Sequence, residues 1–415
     1  MIDQKIKFSA GDGLQDDTDA IQRLLDQGSA RVYLPAPQVK YIISRTLKIH
    51  SRQELVLDRF ALIQLTPGSN CLMLENADPE NGNENIAITG GIWDMNNMEQ
   101  APNPLHYPYS DHPRDDAPWG SRYLNNYFGT AIRFFHVKNL YIKALTMRNP
   151  VTFAIQMAKI DQFTVDDLTF DFNDGNPFPG NMDGVHLDGG CRNGRITNLK
   201  GACYDDLVAL NADDCYHGPI EDIAIDGIFS QDCHSAVRML SAKSWIRRIS
   251  IANVYGTFYQ YAVAFSKYYP ELGHRGLFDQ ISLRNLYVSK AERYTKYRKD
   301  GSFVFPLIWL ERDVQVQMMT IAELHRREEV TPVEAIGLDP GAEVQVMVVQ
   351  NCSQSNLTGQ PAPFLKNQGT IHRLYLDRLA ITNDAVVNNT GQIDEICASP
   401  DVKPLLRNSG SRLHF

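Results

Sequence analysis

One kind of segment keeps returning along this 415-residue chain: a short run of alternating apolar residues with an Asn or Asp beside it. Copies include Glu84-Asn-Ile-Ala-Ile-Thr-Gly, Lys138-Asn-Leu-Tyr-Ile-Lys-Ala-Leu, Asp161-Gln-Phe-Thr-Val-Asp-Asp-Leu and Glu221-Asp-Ile-Ala-Ile-Asp-Gly. Others are Arg248-Ile-Ser-Ile-Ala-Asn-Val, Asp279-Gln-Ile-Ser-Leu-Arg-Asn-Leu, Glu343-Val-Gln-Val-Met-Val-Val and His372-Arg-Leu-Tyr-Leu-Asp-Arg-Leu. Strict alternation puts one side chain in and the next one out, which is the pattern of a strand. Where no long loop intervenes, the copies recur roughly every 23 to 35 residues. That spacing suits a sandwich or a stacked solenoid. The helix-poor connections, with Asn, Asp and Gly at strand ends, favour coils with tight corners. The expected fold is all-β: a single parallel β-helix of about ten coils spanning residues 1–415.

The first 50 residues read as a cap on that solenoid. Residues 17–27 predict an amphipathic helix with Ile21, Leu24 and Leu25 on one face and acidic residues crowding its N-terminal end, where the helix dipole favours them. Two short strands, Arg31-Val-Tyr-Leu-Pro and Tyr41-Ile-Ile-Ser, follow. An apolar-faced helix can cover the open first coil. Apolar residues make up 43% and charged residues 21% of the chain, so no part is composed like a disordered tail. The formal net charge of −9 disfavours a nucleic-acid partner. It leaves an acidic sugar open as a partner, because the field in a cleft is set by nearby groups. No run of about 18 apolar residues occurs, so no membrane partner is expected. The opening Met-Ile-Asp-Gln-Lys-Ile-Lys lacks a signal-peptide core, which predicts a cytoplasmic protein, or a secreted one if a signal peptide has been removed. Seven cysteines without zinc-type pairing read as buried small hydrophobes. Nothing in the sequence specifies an oligomeric state.

Residues 93–127 interrupt the repeat with Pro102, Pro104, Pro108, Pro113 and Pro118 among Tyr107, Tyr109, Trp119, Tyr123 and Tyr127. A long loop in a compact fold is often functional. Aromatic faces such as those of Trp119 and Tyr123 suit the C–H faces of sugar rings, although the same rings can simply pin the loop to the barrel.

The densest polar stretch runs from Gly180 to Asp214. Asp183 and the Asp205–Asp206 pair stand 22 residues apart, about one coil, so they can lie side by side on adjacent rungs. Glycosidases need such a group: one carboxylic acid to protonate the leaving oxygen and another carboxylate to activate water. Crowded like charges push one pKa upward and keep one carboxyl protonated. His234 lies 28 residues beyond Asp206, and Arg238 shares its side of the strand, opposite Val237 and Met239. His186 and Asp188 follow Asp183 at alternate positions and are expected to line the same cleft. A second pair, Asp213–Asp214, lies nearby, and either pair can be read as turn chemistry or a structural calcium ligand set.

These motifs resemble the polygalacturonase family of glycoside hydrolases. Asn181-Met-Asp-Gly is similar to that family's Asn-Thr-Asp-Gly, and Asp205-Asp206-Leu-Val-Ala-Leu to its Asp-Asp pair before a short strand. The cap from Gly11, the turn at Ile86-Ala-Ile-Thr-Gly-Gly-Ile-Trp-Asp and the strand at Asn139-Leu-Tyr-Ile-Lys-Ala-Leu-Thr-Met-Arg-Asn-Pro resemble family features as well. The resemblance covers about residues 11–268 and implies a right-handed β-helix of the pectate-lyase superfamily with no metal and no cofactor. It implies that Asp205 is the general acid and that Asp183 and Asp206 orient and activate water. Cys233-His234-Ser235 stands where the family has Gly-His-Gly, and Ala264-Phe-Ser-Lys267 where it has Arg-Ile-Lys. Lys267, with Arg238 replacing the missing arginine, would grip a substrate carboxylate. The expected function is an inverting, exo-acting hydrolase of a uronic-acid-containing or related glycan. A polysaccharide lyase and a non-catalytic, tailspike-like glycan-binding module are the rivals.

Overall fold

The computed structural model describes residues 11–103, 129–176, 179–269, 273–292, 304–382 and 384–407. The chain winds as a parallel β-helix with three strand faces per coil. Val137–Lys143, Thr146–Arg148 and Ile155–Ala158 form one coil, and Asp161–Asp166, Thr169–Asp171 and Val185–Asp188 form the next. Further along, the corners straighten and single strands such as Ile220–Leu240 and Trp245–Ser266 run through all three faces. On the first face, thirteen strands from Arg31–Leu34 to Gln392–Ala398 pair in succession. That exceeds the expected ten coils. Gln53–Leu57, Arg192–Ala202 and Val314–Glu328 are strands of this face that lie outside the eight copies of the sequence pattern.

The alternation fixes which residues fill the barrel. Val185, Leu187, Val208, Leu210, Val237, Met239, Val263 and Phe265 point into one continuous apolar core, while Arg238 and its rung neighbours stand on the outside. Layers must fit each other in volume. Phe163 lies opposite Gly194 on the next rung, and a Cβ at Gly194 would come within 2.0 Å of the Phe163 ring. The recurring Asn and Asp mark corners in the left-handed region: Asn85 (φ 56°), Asn139 (φ 62°), Asn193 (φ 58°) and Asp222 (φ 59°) occupy equivalent places. Short polar side chains tolerate that conformation better than most. They also bond along the stack, as Asn139 Nδ2 donates to Asn85 Oδ1 at 2.7 Å.

The cap forms as the pattern predicts. Helix α1 (Thr18–Asp26) buries Thr18, Ile21 and Leu25 and half-buries Leu24. Gln53 Nε2 donates to the carbonyl of Leu25 in the last turn of the helix (2.9 Å) and to that of Ser29 just beyond it (3.1 Å), fastening the helix to the first full coil. Trp93 is not a loop residue: it sits fully buried in the strand Ile92–Asp94, its indole N–H donating to the Gly90 carbonyl. Most of the inserted loop, with Trp119 and Tyr123, lies outside the described residues. Among the described residues, no helix is long and apolar enough to cross a membrane.

Because Leu25 is wholly buried against the first coil, Leu25→Ala is expected to destabilise the protein by about 2–5 kcal/mol. A urea titration followed by circular dichroism measures this. A loss below about 1 kcal/mol would mean that the helix contributes little as a cap.

Candidate active site

Register on the third face assembles the site. Val185 pairs with Val208, so Asp183 stands opposite Asp206 across one rung. Asp206 in turn pairs with Ser235, and Ser235 with Tyr261. One backbone and one backbone-to-side-chain bond lock the first step: Gly184 N–H donates to the Asp206 carbonyl (3.0 Å), and Asp206 N–H donates to Asp183 Oδ1 (3.1 Å). The 22-residue spacing therefore brings the carboxyls together as the sequence suggests.

The three carboxyls differ in access. Asp206 is only 1% exposed and receives the Ser235 hydroxyl (2.5 Å) and the Tyr261 hydroxyl (3.2 Å), with Arg238 Nη1 at 3.5 Å. Asp183 is buried on the other side, its Oδ2 2.7 Å from His186 Nδ1. Asp205 keeps 17% of its side chain exposed, with His234 Nδ1 at 3.7 Å from its Oδ1. Burial, and then the Asp183 charge, push the Asp205 pKa up to about 7 against the pull of Arg238. Burial, and then Asp205, push Asp206 up to about 6, opposed by Arg238, Ser235 and Tyr261. Burial also raises Asp183, against His186. One open, protonatable carboxyl thus stands beside an anchored, buried one.

Other expected residues fall in different places. Arg238 faces the site: its Nε donates to Ser266 Oγ at 3.1 Å and its guanidinium lies 5.0 Å from the centre of the Tyr268 ring. Lys267 follows the strand Trp245–Ser266 and is 7% exposed, and its backbone N–H donates to Glu311 Oε2. His186 and Asp188 do not line an open cleft; they are 1% and 0% exposed. Their strand presents them outward, but Phe153 stacks on the His186 ring at 4.0 Å, and Gln156 Nε2 and Cys215 N–H bind Asp188. Burial disfavours a charged His186, yet Asp188 and Asp183 outweigh it and hold its pKa well above the ordinary value.

The second Asp pair splits by role. Asp213 accepts backbone N–H bonds from Ala242, Lys243 and Ser244 at 2.7–2.8 Å and the Ser244 hydroxyl at 2.6 Å, which makes it a turn anchor. Burial works against its charge, but His217 and Ser244 outweigh burial and hold the carboxyl far below its usual range. Asp214 faces His186 instead, at 3.8 Å. Ser235 and Tyr261 are site residues the sequence reading missed. Ser235 occupies the place of a family glycine, which was the one available signal.

Fold and site together define a parallel β-helix protein with a carboxylate cluster on one outer face. Residues 121–231 match the family model described as "Glycosyl hydrolases family 28", and the chain is family-28-like. The matched segment holds Asp183, Asp205 and Asp206 and ends before His234, Arg238 and Lys267. No curated protein matches the sequence. Among solved structures, the chain is similar to the Yersinia enterocolitica family 28 exopolygalacturonase: 15% identity, TM-score 0.54, covering 94% of this chain and 77% of that one. The Erwinia carotovora polygalacturonase matches at 12% identity and TM-score 0.53, covering 92% of each. The N-terminal fragment of bacteriophage phi29 gene product 12 matches at 13% identity and TM-score 0.57, covering 93% and 69%. At these identities the likeness establishes the fold.

The raised Asp205 pKa has a stability consequence. Its folded value of about 7 lies above the ordinary 3.8, so the residue is neutral in both the folded and the unfolded chain below about pH 4 and costs the fold increasing stability as pH rises from there to about 7. Asp205→Asn is expected to raise Tm at pH 8 and leave it nearly unchanged at pH 4. Thermal melts at both values test this, and equal shifts would refute it.

Proposed function

We propose that the protein is a glycoside hydrolase that cleaves a uronic-acid-containing or related glycan by direct displacement with water. The observation that carries this reading is the convergence of three carboxyls from adjacent coils, with Asp205 more open than Asp183 or Asp206. Asp205 donates its proton to the glycosidic oxygen as the anomeric C–O bond breaks. Water attacks the anomeric carbon and passes its proton to Asp206, with Asp183 orienting it. His234 sits beside Asp205, its Nδ1 3.7 Å from Asp205 Oδ1. Arg238 offers an acidic sugar a cation, although it already sits against Asp206.

Two features bear on stereochemistry and pull in opposite directions. Oxygen atoms of Asp205 and Asp206 lie within 4.8 Å of each other, closer than the ~6.5–9.5 Å usual for inverting pairs. Asp206, however, is buried and tied to three donors, which suits a base better than a nucleophile that must form an ester. We give burial the greater weight and propose inversion.

Purified protein incubated with pectic and other acidic oligosaccharides should release reducing ends, and early-time NMR should show the inverted anomer. Products absorbing in the ultraviolet would mean a lyase, and binding without turnover would mean a glycan-binding module. Asp205→Asn should lower kcat by about 10²–10⁴-fold with little change in KM. Near wild-type turnover in that variant would overturn the assignment of the acid.

The two carboxyls also set a pH profile. Asp206 must be ionised and Asp205 protonated, so kcat/KM should fall below about 6 and above about 7. Ser235→Ala and Tyr261→Phe remove donors to the Asp206 carboxylate, so the acidic limb should move to higher pH. An unmoved limb would mean that Asp206 is not the base.

A further inference from the structure

We propose that His186, Asp188 and Cys215 form a binding site for a divalent transition metal, zinc being the chemical match. The sequence reading expects no metal. A nitrogen of His186, a carboxylate oxygen of Asp188 and the sulfur of Cys215 lie within 4.8 Å of one another, and all three residues are buried. Zinc takes imidazole and carboxylate at about 2.0–2.2 Å and thiolate at about 2.3 Å, which places tetrahedral ligand atoms about 3.3–3.6 Å apart. His186 Nε2 stands 3.4 Å from Asp188 Oδ1 and 3.8 Å from Asp214 Oδ2. These gaps exceed the ~2.7–2.9 Å of a charge-assisted hydrogen bond. The other ring nitrogen shows the contrast: Nδ1 lies 2.7 Å from Asp183. A ring bound closely by a carboxylate at one nitrogen, with a wider ring of donors at the other, is the usual arrangement of a metal-ligating histidine.

The surroundings point the same way. Amide nitrogens orient both carboxylates: Gln156 Nε2 donates to Asp188 (2.9 Å) and Asn211 Nδ2 to Asp214 (3.1 Å). Asn211 stands in register with Asp188 on the next rung. The oxygens of these two amides, Gln156 Oε1 and Asn211 Oδ1, are buried and have no hydrogen-bond partner among the described residues. These two amides therefore keep unused acceptor capacity next to the carboxylates they orient. A thiolate with an imidazole selects zinc over calcium or magnesium. Ligation at Nε2 would leave the proton on Nδ1, where it donates to Asp183. The metal would thereby position a carboxylate of the neighbouring site.

This inference is independent of the hydrolase reading, because its readouts are metal content and spectra. Full-length protein stripped with a chelator is titrated with cobalt(II) and then with zinc. One equivalent of cobalt should give the intense visible bands of tetrahedral coordination and a thiolate-to-cobalt charge-transfer band in the near ultraviolet. Zinc should displace it one for one and raise Tm. Cys215→Ser should abolish the charge-transfer band, and Cys352→Ser, a buried thiol in a distant coil, should retain it. Asp188→Asn should keep the band but weaken zinc binding about tenfold or more, which decides the matter if Cys215→Ser fails to fold. Absence of the band in the parent protein, its persistence in Cys215→Ser, or undiminished zinc affinity in Asp188→Asn would overturn the site.

Discussion

Everything at the site depends on in-register pairing between parallel strands about 4.8 Å apart. That constraint turns sequence distance into spatial adjacency. Asp183, Asp206, Ser235 and Tyr261 belong to four different coils, yet they form one column because each strand pairs residue for residue with the next. A slip of one residue would send Val208 outward and Ala209 inward. The apolar interior guards the register, since Val185, Val208, Val237 and Val263 fill one layer of the core. Site geometry is thus enforced from inside the barrel by residues that take no part in the chemistry.

Burial then gives similar carboxyls different properties. Asp213 and Asp206 are both nearly inaccessible. Asp213 is surrounded by donors from a single turn and is held as an anion. Asp206 has fewer donors and another carboxyl beside it, so its proton is held more tightly. Asp205 has the neighbouring charge with less compensation, and its affinity for a proton is higher still. The contrast comes from counting donors against like charges, not from depth alone.

Much of this was legible in the sequence. Alternation gave the strands, and the apolar face of residues 17–27 gave the cap. Coil-length spacing gave Asp183, Asp205 and Asp206 as neighbours. Legibility ended where a property depended on what covers a face. His186 and Asp188 alternate outward as expected, but alternation names a face without saying what lies over it, and Phe153, Gln156 and Cys215 cover this one. Ser235 and Tyr261 escaped notice because a hydroxyl on a strand carries no charge pattern. Their role emerges only when the rungs are aligned. Asp213 and Asp214 read alike in sequence and separate only once the turn at Ala242–Ser244 is in place.

The Phe163–Gly194 contact bears on how such a solenoid can change over generations. One coil supplies a large ring and the next supplies the space that receives it, so adjacent coils are complementary and not interchangeable. Copying the Gly194 coil in tandem would set glycine against glycine and open a void. Copying the Phe163 coil would set ring against ring in a space made for one. A chain built this way cannot lengthen freely by faithful duplication. Each added turn must acquire compensating substitutions in its neighbours, which is reason enough for eight visible copies of one strand pattern to have diverged so far in every residue except their alternation.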